Sequence, residues 1–254
     1  ILIQENPDRT WHTGLRGDVS DSWVVRDNTA SSNRLVIDTS GRLLVGHNTS
    51  VSVRQDSKIQ ISSTDATAAI SVARYSNDSS APFINLGKSR GALGGTTVVQ
   101  DDDGLGRIAF VGADGSDLLT EGAAILAQVD GTPGSNDMPG RLSFRTTSDG
   151  ASSSTERLRI TSAGLVRVPD NGKFTAGAGD DLQIYHDGTD NFIKSNAALK
   201  IQAAGSNSFT VHVSARTDKE TIKCYNNTNA PYVELFYDNS KRFETTTDGA
   251  DFSG

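Results

Sequence analysis

One short pattern occurs three times in the chain, and it limits the possible folds more than any other feature. Each copy has an apolar-alternating strand, a polar loop, an arginine that begins a second strand, and a glycine seven residues after that arginine. The arginines and glycines of the three copies are Arg34 and Gly41, Arg157 and Gly164, and Arg242 and Gly249. A two-strand unit buries little apolar surface alone, so it needs neighbours to stack against. The repeat therefore predicts a modular or fibrous β-protein.

The supply of apolar residues is thin for a single compact core. Hydrophobic residues make up 35% of the 254 residues and aromatic residues only 6%. Counting the 25 glycines as well reaches only the low end of the roughly 45–50% found in globular domains. The apolar residues alternate regularly, which argues against disorder. We therefore expect thin elements that bury their single apolar face against identical copies of the chain.

Short alternating segments bounded by glycine, asparagine, aspartate or serine run through the whole chain and predict an all-β fold. No stretch of twelve residues has a convincing helical period, and the best helical candidate, residues 118–129, is predicted to be a strand because its apolar residues alternate around Gly122. Gly104-Leu105-Gly106 lacks a following helix and is predicted to be a turn, not a phosphate loop.

Composition divides the chain into three predicted regions. Residues 1–46 form an N-terminal β-module, residues 47–165 a wider β-domain or knob, and residues 166–254 a repeat-containing β-shaft. The wider domain contains the long polar loops 91–106 and 131–139. Loops on a rigid scaffold commonly carry recognition, so these two are the expected place of any contact with a partner molecule, unless they only wrap the seam between copies.

A second internal similarity links residues 75–84 with residues 225–233. Each segment is interpreted as a strand, a polar loop, an Ala-Pro pair and another strand. Proline is tolerated at the start of a strand because no ladder donor is needed there.

Charge and cysteine content exclude several classes of function. The net charge of −7 disfavours nucleic acid as a partner, since phosphate binding needs clustered Lys and Arg. No apolar run reaches the roughly 18 residues of a membrane span, so membrane insertion is not expected. The single cysteine, Cys224, excludes an intrachain disulfide and is expected to be a packed side chain. The chain begins at Ile1, which suggests a piece of a longer polypeptide.

Several runs of residues resemble modules of bacteriophage tail fibres, including those of marine phages and cyanophages. The resemblance rests on segments 9–41, 73–75, 81–83, 88–91, 112–115, 128–134, 136–142, 155–160, 180–188 and 237–246. It implies a parallel homotrimer in the virion tail, with a β-prism or interwoven shaft and a wider domain. The implied partners are the chain itself, other phage tail proteins, and a host surface polysaccharide or receptor. Such fibres often end in a self-trimming chaperone domain, which has no counterpart here, so residue 254 is expected to lie in mid-fibre.

Candidate metal and catalytic groups are weighed against simpler roles. Asp101-Asp102-Asp103-Gly104 lacks the acidic twelfth ligand of a calcium loop and is interpreted as a solvated acidic turn, and Asp187-Gly188-Thr189-Asp190-Asn191 is interpreted in the same way. The histidines His12, His47, His186 and His212 are scattered. An axial metal at His212 is not expected, and His186 is expected to make an orienting hydrogen bond. No metal, cofactor or catalytic residue is predicted.

The sequence is interpreted as a structural tail-fibre segment that supports host attachment and has no enzyme activity. Three alternatives stay open: a glycan-binding knob at residues 73–145, a bacterial adhesin stalk, and a glycan-cleaving tailspike, for which the chain lacks a long uniform β-helix repeat. The three glycines are expected in turns at positive φ. The three arginines are expected to bond loop carbonyls or an acid of a neighbouring chain, with an exposed solubilising charge as the alternative.

Overall fold

The computed structural model of the chain describes residues 2–201, 208–211, 222–225, 232–237, 240–246 and 249–252. Within these ranges the chain has no α-helix, and its one short helix is a 3-10 turn at Gly17–Val19. The predicted all-β class is therefore confirmed. The chain divides into two compact units, Ile1–Gly172 and Lys173–Gly254, whereas the sequence suggested boundaries after residues 46 and 165.

The first unit begins with a six-stranded sheet whose strands follow one another in chain order. They are β1 (Leu2–Glu5), β2 (Thr10–Arg16), β3 (Ser22–Asp27), β4 (Ser32–Ile37), β5 (Leu43–Val45) and β6 (Ile59–Ile61). All neighbours are antiparallel except β5 and β6, which are parallel. Because β6 belongs to this sheet, the N-terminal module extends beyond the predicted boundary at residue 46.

Period-two alternation gives this sheet two different faces. Val24, Val36 and Leu44 are directly opposite one another on β3, β4 and β5, and all three are completely buried. The next row, Trp23 and Ile37, lies on the other face, where both side chains are about 40% exposed (38% and 41%). One face is therefore a small core, and the other presents apolar side chains to solvent.

The second sheet of this unit has five antiparallel strands in the order β11-β10-β9-β8-β7. They are β7 (Gly104–Val111), β8 (Glu121–Val129), β9 (Gly140–Thr146), β10 (Thr155–Ile160) and β11 (Val166–Arg167). Ile108, Ile125, Phe144 and Leu158 form one row across four of these strands, and Ile108 and Phe144 in that row are exposed. This sheet also leaves part of an apolar row without cover in the single chain.

The predicted turn at Gly104-Leu105-Gly106 is wrong, because these residues begin β7. Gly104 pairs with Gln128 and Gly106 with Ala127, so Leu105 is an extra, bulged residue. A Cβ on Gly106 would lie 2.8 Å from the Cβ of Leu86. The glycine therefore gives room for residue 86 to approach the strand.

The threefold sequence repeat corresponds to three antiparallel meanders of three strands each. The meanders are β3-β4-β5, β9-β10-β11, and β17 (Tyr232–Tyr237), β18 (Ser240–Thr246) and β19 (Gly249–Phe252). In every meander the register shifts at the repeat arginine: Arg34, Arg157 and Arg242 are each the extra residue of a β-bulge. A bulge bends the strand and strengthens its twist, so the arginine marks the same irregularity in each copy.

The three repeat glycines have positive φ values of +68° (Gly41), +77° (Gly164) and +146° (Gly249). Gly41 and Gly164 occupy the same kind of turn, since their N–H groups donate to Asp38 O and Thr161 O, both at 2.9 Å. Gly249 differs, because it pairs with Thr246 across a shorter connection and is already the first residue of β19. The first two copies therefore share a three-residue turn, whereas in the third copy the residues on either side of the connection pair directly.

The repeat arginines bind different partners. Arg34 Nη2 donates to Asp27 Oδ2 at 3.0 Å, and Asp27 is completely buried. Arg157 donates to Thr146 Oγ1 at 2.9 Å and to Ser148 Oγ at 2.7 Å. Arg242 is exposed and forms no hydrogen bond with the residues that the structure describes. Within the chain, the partners of the first two are thus an acid and two hydroxyl groups, not loop carbonyls.

Residues 62–103, here called the strandless segment, contain no strand at all. The strands predicted within residues 75–84 are therefore wrong for the single chain, because no neighbouring strand of the same chain supplies a hydrogen-bonding partner. Residues 226–231, in the similar segment, lie outside the described residues. Between residues 70 and 89, no backbone group of the strandless segment bonds to the backbone of another described residue. Its apolar side chains are exposed: Tyr75 at 96%, Phe83 at 71% and Ile84 at 79%.

The second unit contains two antiparallel sheets. The three-stranded sheet comprises β12 (Lys173–Ala176), β13 (Leu182–His186) and β14 (Asn191–Ser195), and the five-stranded sheet comprises β15 (Ser208–Val211), β16 (Ile222–Tyr225), β17, β18 and β19. Tyr185 stacks on Phe192 with ring centroids 4.9 Å apart, and the Lys173 amine lies 4.8 Å from the Tyr185 centroid. No residue of the three-stranded sheet is fully buried.

Candidate functional site

A cleft of about 640 Å³ lies between the two loop regions that the sequence singled out. Its lining comprises Lys88, Ser89 and Gly95–Val99 on one side and Pro133–Ser135 and Met138 on the other. The loops predicted at 91–106 and 131–139 are thus neighbours in the first unit, although 24 residues separate them in sequence.

Ion pairs to the acidic turn hold the first side of this cleft. The Arg90 guanidinium donates to both carboxylate oxygens of Asp103, at 2.6 and 2.7 Å, and the Gln100 N–H donates to Asp103 Oδ2 at 2.8 Å. These bonds, first of all those from Arg90, hold the pKa of Asp103 far below its usual range. The Asp103 carboxylate is therefore ionised at any ordinary pH, and its bonds to Arg90 hold the two ends of residues 90–103 together.

The second side is fixed through Arg141 and Asp130. Arg141 donates to Asp102 and, at 3.2 Å, to Asp130 Oδ1, while Gly131 N–H donates to Asp101 Oδ1 at 2.8 Å. The Ser162 N–H donates to Asp130 Oδ2 at 2.8 Å and lowers the pKa of that carboxyl. All three carboxylates of the acidic turn thus bind the protein's own donors, so the turn tethers two loops and is not simply solvated.

The chemistry of the cleft is that of a binding surface. The wall has the Lys88 amine, hydroxyl groups of Ser89, Thr96, Thr97 and Ser135, and apolar groups of Val98, Val99, Pro133 and Met138. Ser89 Oγ donates to Thr97 O at 3.3 Å. The hydroxyl groups of Thr96, Thr97 and Ser135 make no hydrogen bond with the described residues, so a ligand can bind them. The lining residues include no acidic side chain and no histidine. Hydroxyl and apolar groups side by side suit a polar ligand with apolar faces, such as a sugar.

The other candidate residues do not converge. Asp187 accepts the N–H groups of Thr189 and Asp190 at 2.9 and 2.8 Å, which lowers its pKa and closes the predicted turn. The orienting bond predicted for His186 is not formed with any described residue, since its Nδ1 is buried and unpartnered.

The remaining histidines and the cysteine are separate from one another. His12 lies in β2, and His47 Nδ1 donates to Thr49 O at 2.8 Å. His212 lies outside the described residues, and Cys224 lies in β16. Among the described residues, no three His, Cys, Asp or Glu side chains are grouped as a metal site would need. In the same part of the chain, no helix has the length and hydrophobicity to cross a bilayer.

Sequence reasoning missed a second cleft, in which Arg54, Arg107 and Arg145 surround Glu121. The arginines belong to a loop and to two different strands, so no local run of basic residues in the sequence predicts the cleft. The only signal in the sequence was the placement of two of them inside strands that alternate with apolar residues.

Two solved structures of the carboxy-terminal domain of the bacteriophage T5 L-shaped tail fibre are similar to this chain. The one that includes its intramolecular chaperone domain matches with a TM-score of 0.52 and 16% identity, over 85% of this chain and 61% of that one. The other has a TM-score of 0.41 and 12% identity, over 73% of this chain and 91% of that one. No protein-family model and no curated protein matches the chain. The chain thus has a tail-fibre-like fold and spans less than two thirds of the longer structure.

Proposed function

We propose that the chain is a structural segment of a phage tail fibre, that it assembles as a parallel homotrimer in the virion, and that it supports host attachment without enzyme activity. The carrying observation is apolar surface that the single chain leaves uncovered. The tail-fibre-like fold supports the choice of a fibre over other oligomers.

The amount of exposed surface supports an obligate assembly. The chain exposes 18207 Å², whereas a compact chain of 26.9 kDa exposes roughly 10,800 Å². Even two separate compact bodies with the sizes of the two units would expose only about 13,000 Å² together. The described residues contribute to this excess with large exposed apolar side chains, among them Tyr75, Phe83, Ile84 and Ile108, and burial of such side chains is typical of permanent interfaces.

The position of this surface supports interweaving of the copies. Between residues 70 and 89 the strandless segment carries exposed apolar side chains, and its backbone forms no hydrogen bond with the backbone of any other described residue. Unpaired donors and acceptors next to apolar side chains are the features of a strand that lacks its neighbour. In the proposed trimer, strands of another copy supply these hydrogen bonds and cover the exposed apolar rows of both sheets in the first unit.

A glycan-binding knob is the second candidate, and the cleft between loops 91–106 and 131–139 favours it. The fibre and the knob are compatible, because three copies of a weak site act together through avidity. A retaining or inverting glycosidase needs two carboxyl groups flanking the sugar. The cleft lining contains none, which supports binding without cleavage.

Co-expression of a tagged and an untagged chain tests the assembly. A trimer gives four species on native electrophoresis, a dimer three and a monomer two. A glycan array, followed by incubation of each hit to detect released sugar, tests the attachment role. Sugar release would contradict the non-enzyme proposal, and binding that survives deletion of both loops would contradict the location of the site.

A further inference from the structure

The second cleft, of about 450 Å³, carries a local charge opposite to that of the whole chain. It is lined by Arg54, Arg107, Leu119, Glu121, Arg145 and Ser152–Ser154. Three guanidinium groups and one carboxylate give a net charge of +2 in a chain whose net charge is −7. No other acidic side chain lines the cleft, so this charge is not cancelled locally.

Glu121 is buried, and its carboxylate binds three other side chains that line the cleft. Arg107 donates to both of its carboxylate oxygens, with Nε 2.8 Å from Oε2, and Arg54 Nε donates to the same Oε2 at 3.1 Å. Ser154 Oγ donates to Oε1 at 2.6 Å. Burial by itself would raise the pKa of Glu121, but the hydrogen bonds of Arg107 and Ser154 and the charges of both arginines outweigh it and lower that pKa. The carboxylate is ionised and fully bonded, and one arginine suffices to neutralise it.

The arginines keep unused donors after these bonds are counted. Arg145 is held by Ser154, with Nη2 2.7 Å from Ser154 O and Nε 3.3 Å from Ser154 Oγ. Its Nη1, the Nη1 of Arg107, and both Nη groups of Arg54 make no hydrogen bond with the described part of the chain. Guanidinium groups fixed at one edge and free at the other match the geometry of a planar or tetrahedral oxyanion.

The backbone of Arg54 gives an independent indication. Its φ is +59°, a left-handed conformation that is uncommon for a residue other than glycine. The Arg54 N–H donates to Leu118 O at 2.8 Å and holds the residue there. Such conformations persist where the surroundings enforce them, and they are concentrated at binding sites. Here the conformation accompanies a guanidinium that lines the cleft.

We propose that this cleft binds one oxyanion group, a carboxylate, sulfate ester or phosphate ester, carried by an acidic polysaccharide of the host surface. The polysaccharide as the source rests on the proposed attachment function, whereas the binding of the anion does not. The site adds three guanidinium groups to the recognition surface of the first unit, whose other cleft, between the two loops, is lined mainly by hydroxyl and apolar groups.

Saturation-transfer NMR on the assembled 254-residue chain tests the proposal with defined probes. Glucuronate, glucose 6-sulfate and glucose 6-phosphate are the anionic probes, and glucose is their neutral counterpart. We expect saturation of the anionic sugars, no saturation of glucose, and competition by inorganic sulfate. The anionic probe with the strongest signal identifies the substituent. No signal from any anionic probe, or an equal signal from glucose, would overturn the proposal.

Two double variants distinguish anion binding in the cleft from a general effect of the charge of the whole chain. Arg54→Gln with Arg145→Gln removes two charges from the cleft but keeps the Arg107 pair with Glu121. Arg74→Gln with Arg159→Gln removes two charges from ion pairs elsewhere, those with Asp78 and Glu156. The first should weaken binding of the anionic sugars at least about tenfold, the loss expected from charge-assisted hydrogen bonds. Equal weakening by both double variants would overturn the proposal.

A third variant tests the site without removing any bond of the fold. Ser152 is exposed, lines the cleft and makes no hydrogen bond with any residue that the structure describes, so Ser152→Glu adds a negative charge there. It should abolish the anionic signals and leave circular dichroism and assembly mass unchanged, and unchanged anion binding would count against the site. Loss of anion binding leaves the fibre proposal intact, since that proposal is judged by assembly mass.

Discussion

The first sheet and the strandless segment are adjacent in sequence but satisfy their apolar and backbone groups in opposite ways. In the first sheet, Val24, Val36 and Leu44 bury one another across three hydrogen-bonded strands. In the strandless segment, Phe83 and Ile84 are exposed, and the backbone around them is unpaired. Both regions have apolar residues suited to strands, so propensity does not separate them. The difference is whether the same chain supplies a neighbouring strand.

The single chain thus satisfies the apolar and backbone groups of the first sheet but leaves many of those of the strandless segment unsatisfied. The core of the first sheet stabilises the single chain, whereas in the proposed trimer it is the other copies that stabilise the strandless segment. Substitutions in the two regions should therefore affect different quantities: unfolding of the sheet in one case and assembly in the other.

The largest effect is expected from charge placed in the strandless segment. Phe83→Asp with Ile84→Asp puts two unpaired carboxylates into the proposed contact between copies, where desolvation costs several kcal/mol. We expect the assembly to dissociate, seen as a loss of the trimer mass in native mass spectrometry. Ser79→Asp, at an exposed polar position of the same segment, is the control and should leave the mass unchanged. A stable trimer of the double variant would show that the segment does not join the copies.

A smaller effect is expected from the core of the first sheet. Leu44→Ala leaves a cavity beside Val36 and should lower the free energy of unfolding by about 2–5 kcal/mol. Denaturant unfolding monitored by tryptophan fluorescence reports on this sheet, because both tryptophans, Trp11 and Trp23, lie in it. Thr39→Ala, in the exposed turn after β4, should change the unfolding free energy by no more than about 0.5 kcal/mol. If Leu44→Ala lost its assembly without unfolding, the first sheet would also control assembly, which would contradict the difference between the two regions.

The repeat turn should give an intermediate effect that depends only on backbone conformation. No atom lies within 4 Å of a Cβ built on Gly41, so Gly41→Val adds strain but no clash. It should destabilise by about 1–3 kcal/mol, measured by thermal unfolding, since valine resists positive φ. Gly41→Asn tolerates that conformation better and serves as the control. Equal losses in the two variants would show that positive φ is not the reason for glycine.

The smallest effects are expected from the repeat arginines, and they should differ between copies. Arg34→Ala removes one of two arginines that bond the buried Asp27, Arg9 being the other, and should lower the melting temperature measurably. Arg242→Ala should leave the melting temperature unchanged unless another copy supplies a partner, because Arg242 forms no side-chain bond with the described residues of its own chain. A drop in Arg242→Ala within the assembly would indicate an acid on a neighbouring copy, as the sequence suggested.

The sequence was informative wherever strands pair within the chain. Period two and glycine punctuation predicted the all-β class, and the repeat coincided with three bulged meanders. It misled at residues 75–84, because alternation shows that a segment can pair but not which chain supplies the partner. It also misled at Gly104–Gly106, where close approach of Leu86 explains the glycine. The cleft around Glu121 could not be predicted from the sequence, because Arg54, Arg107 and Arg145 come together only after folding.

Sedimentation of the 254-residue chain tests the central claim most directly. The chain is expressed alone, and circular dichroism first verifies that it is folded. The chain mass is 26.9 kDa, and the account predicts one β-rich species of three times that mass that persists on dilution. A folded species that sediments stably at the mass of a single chain would contradict it.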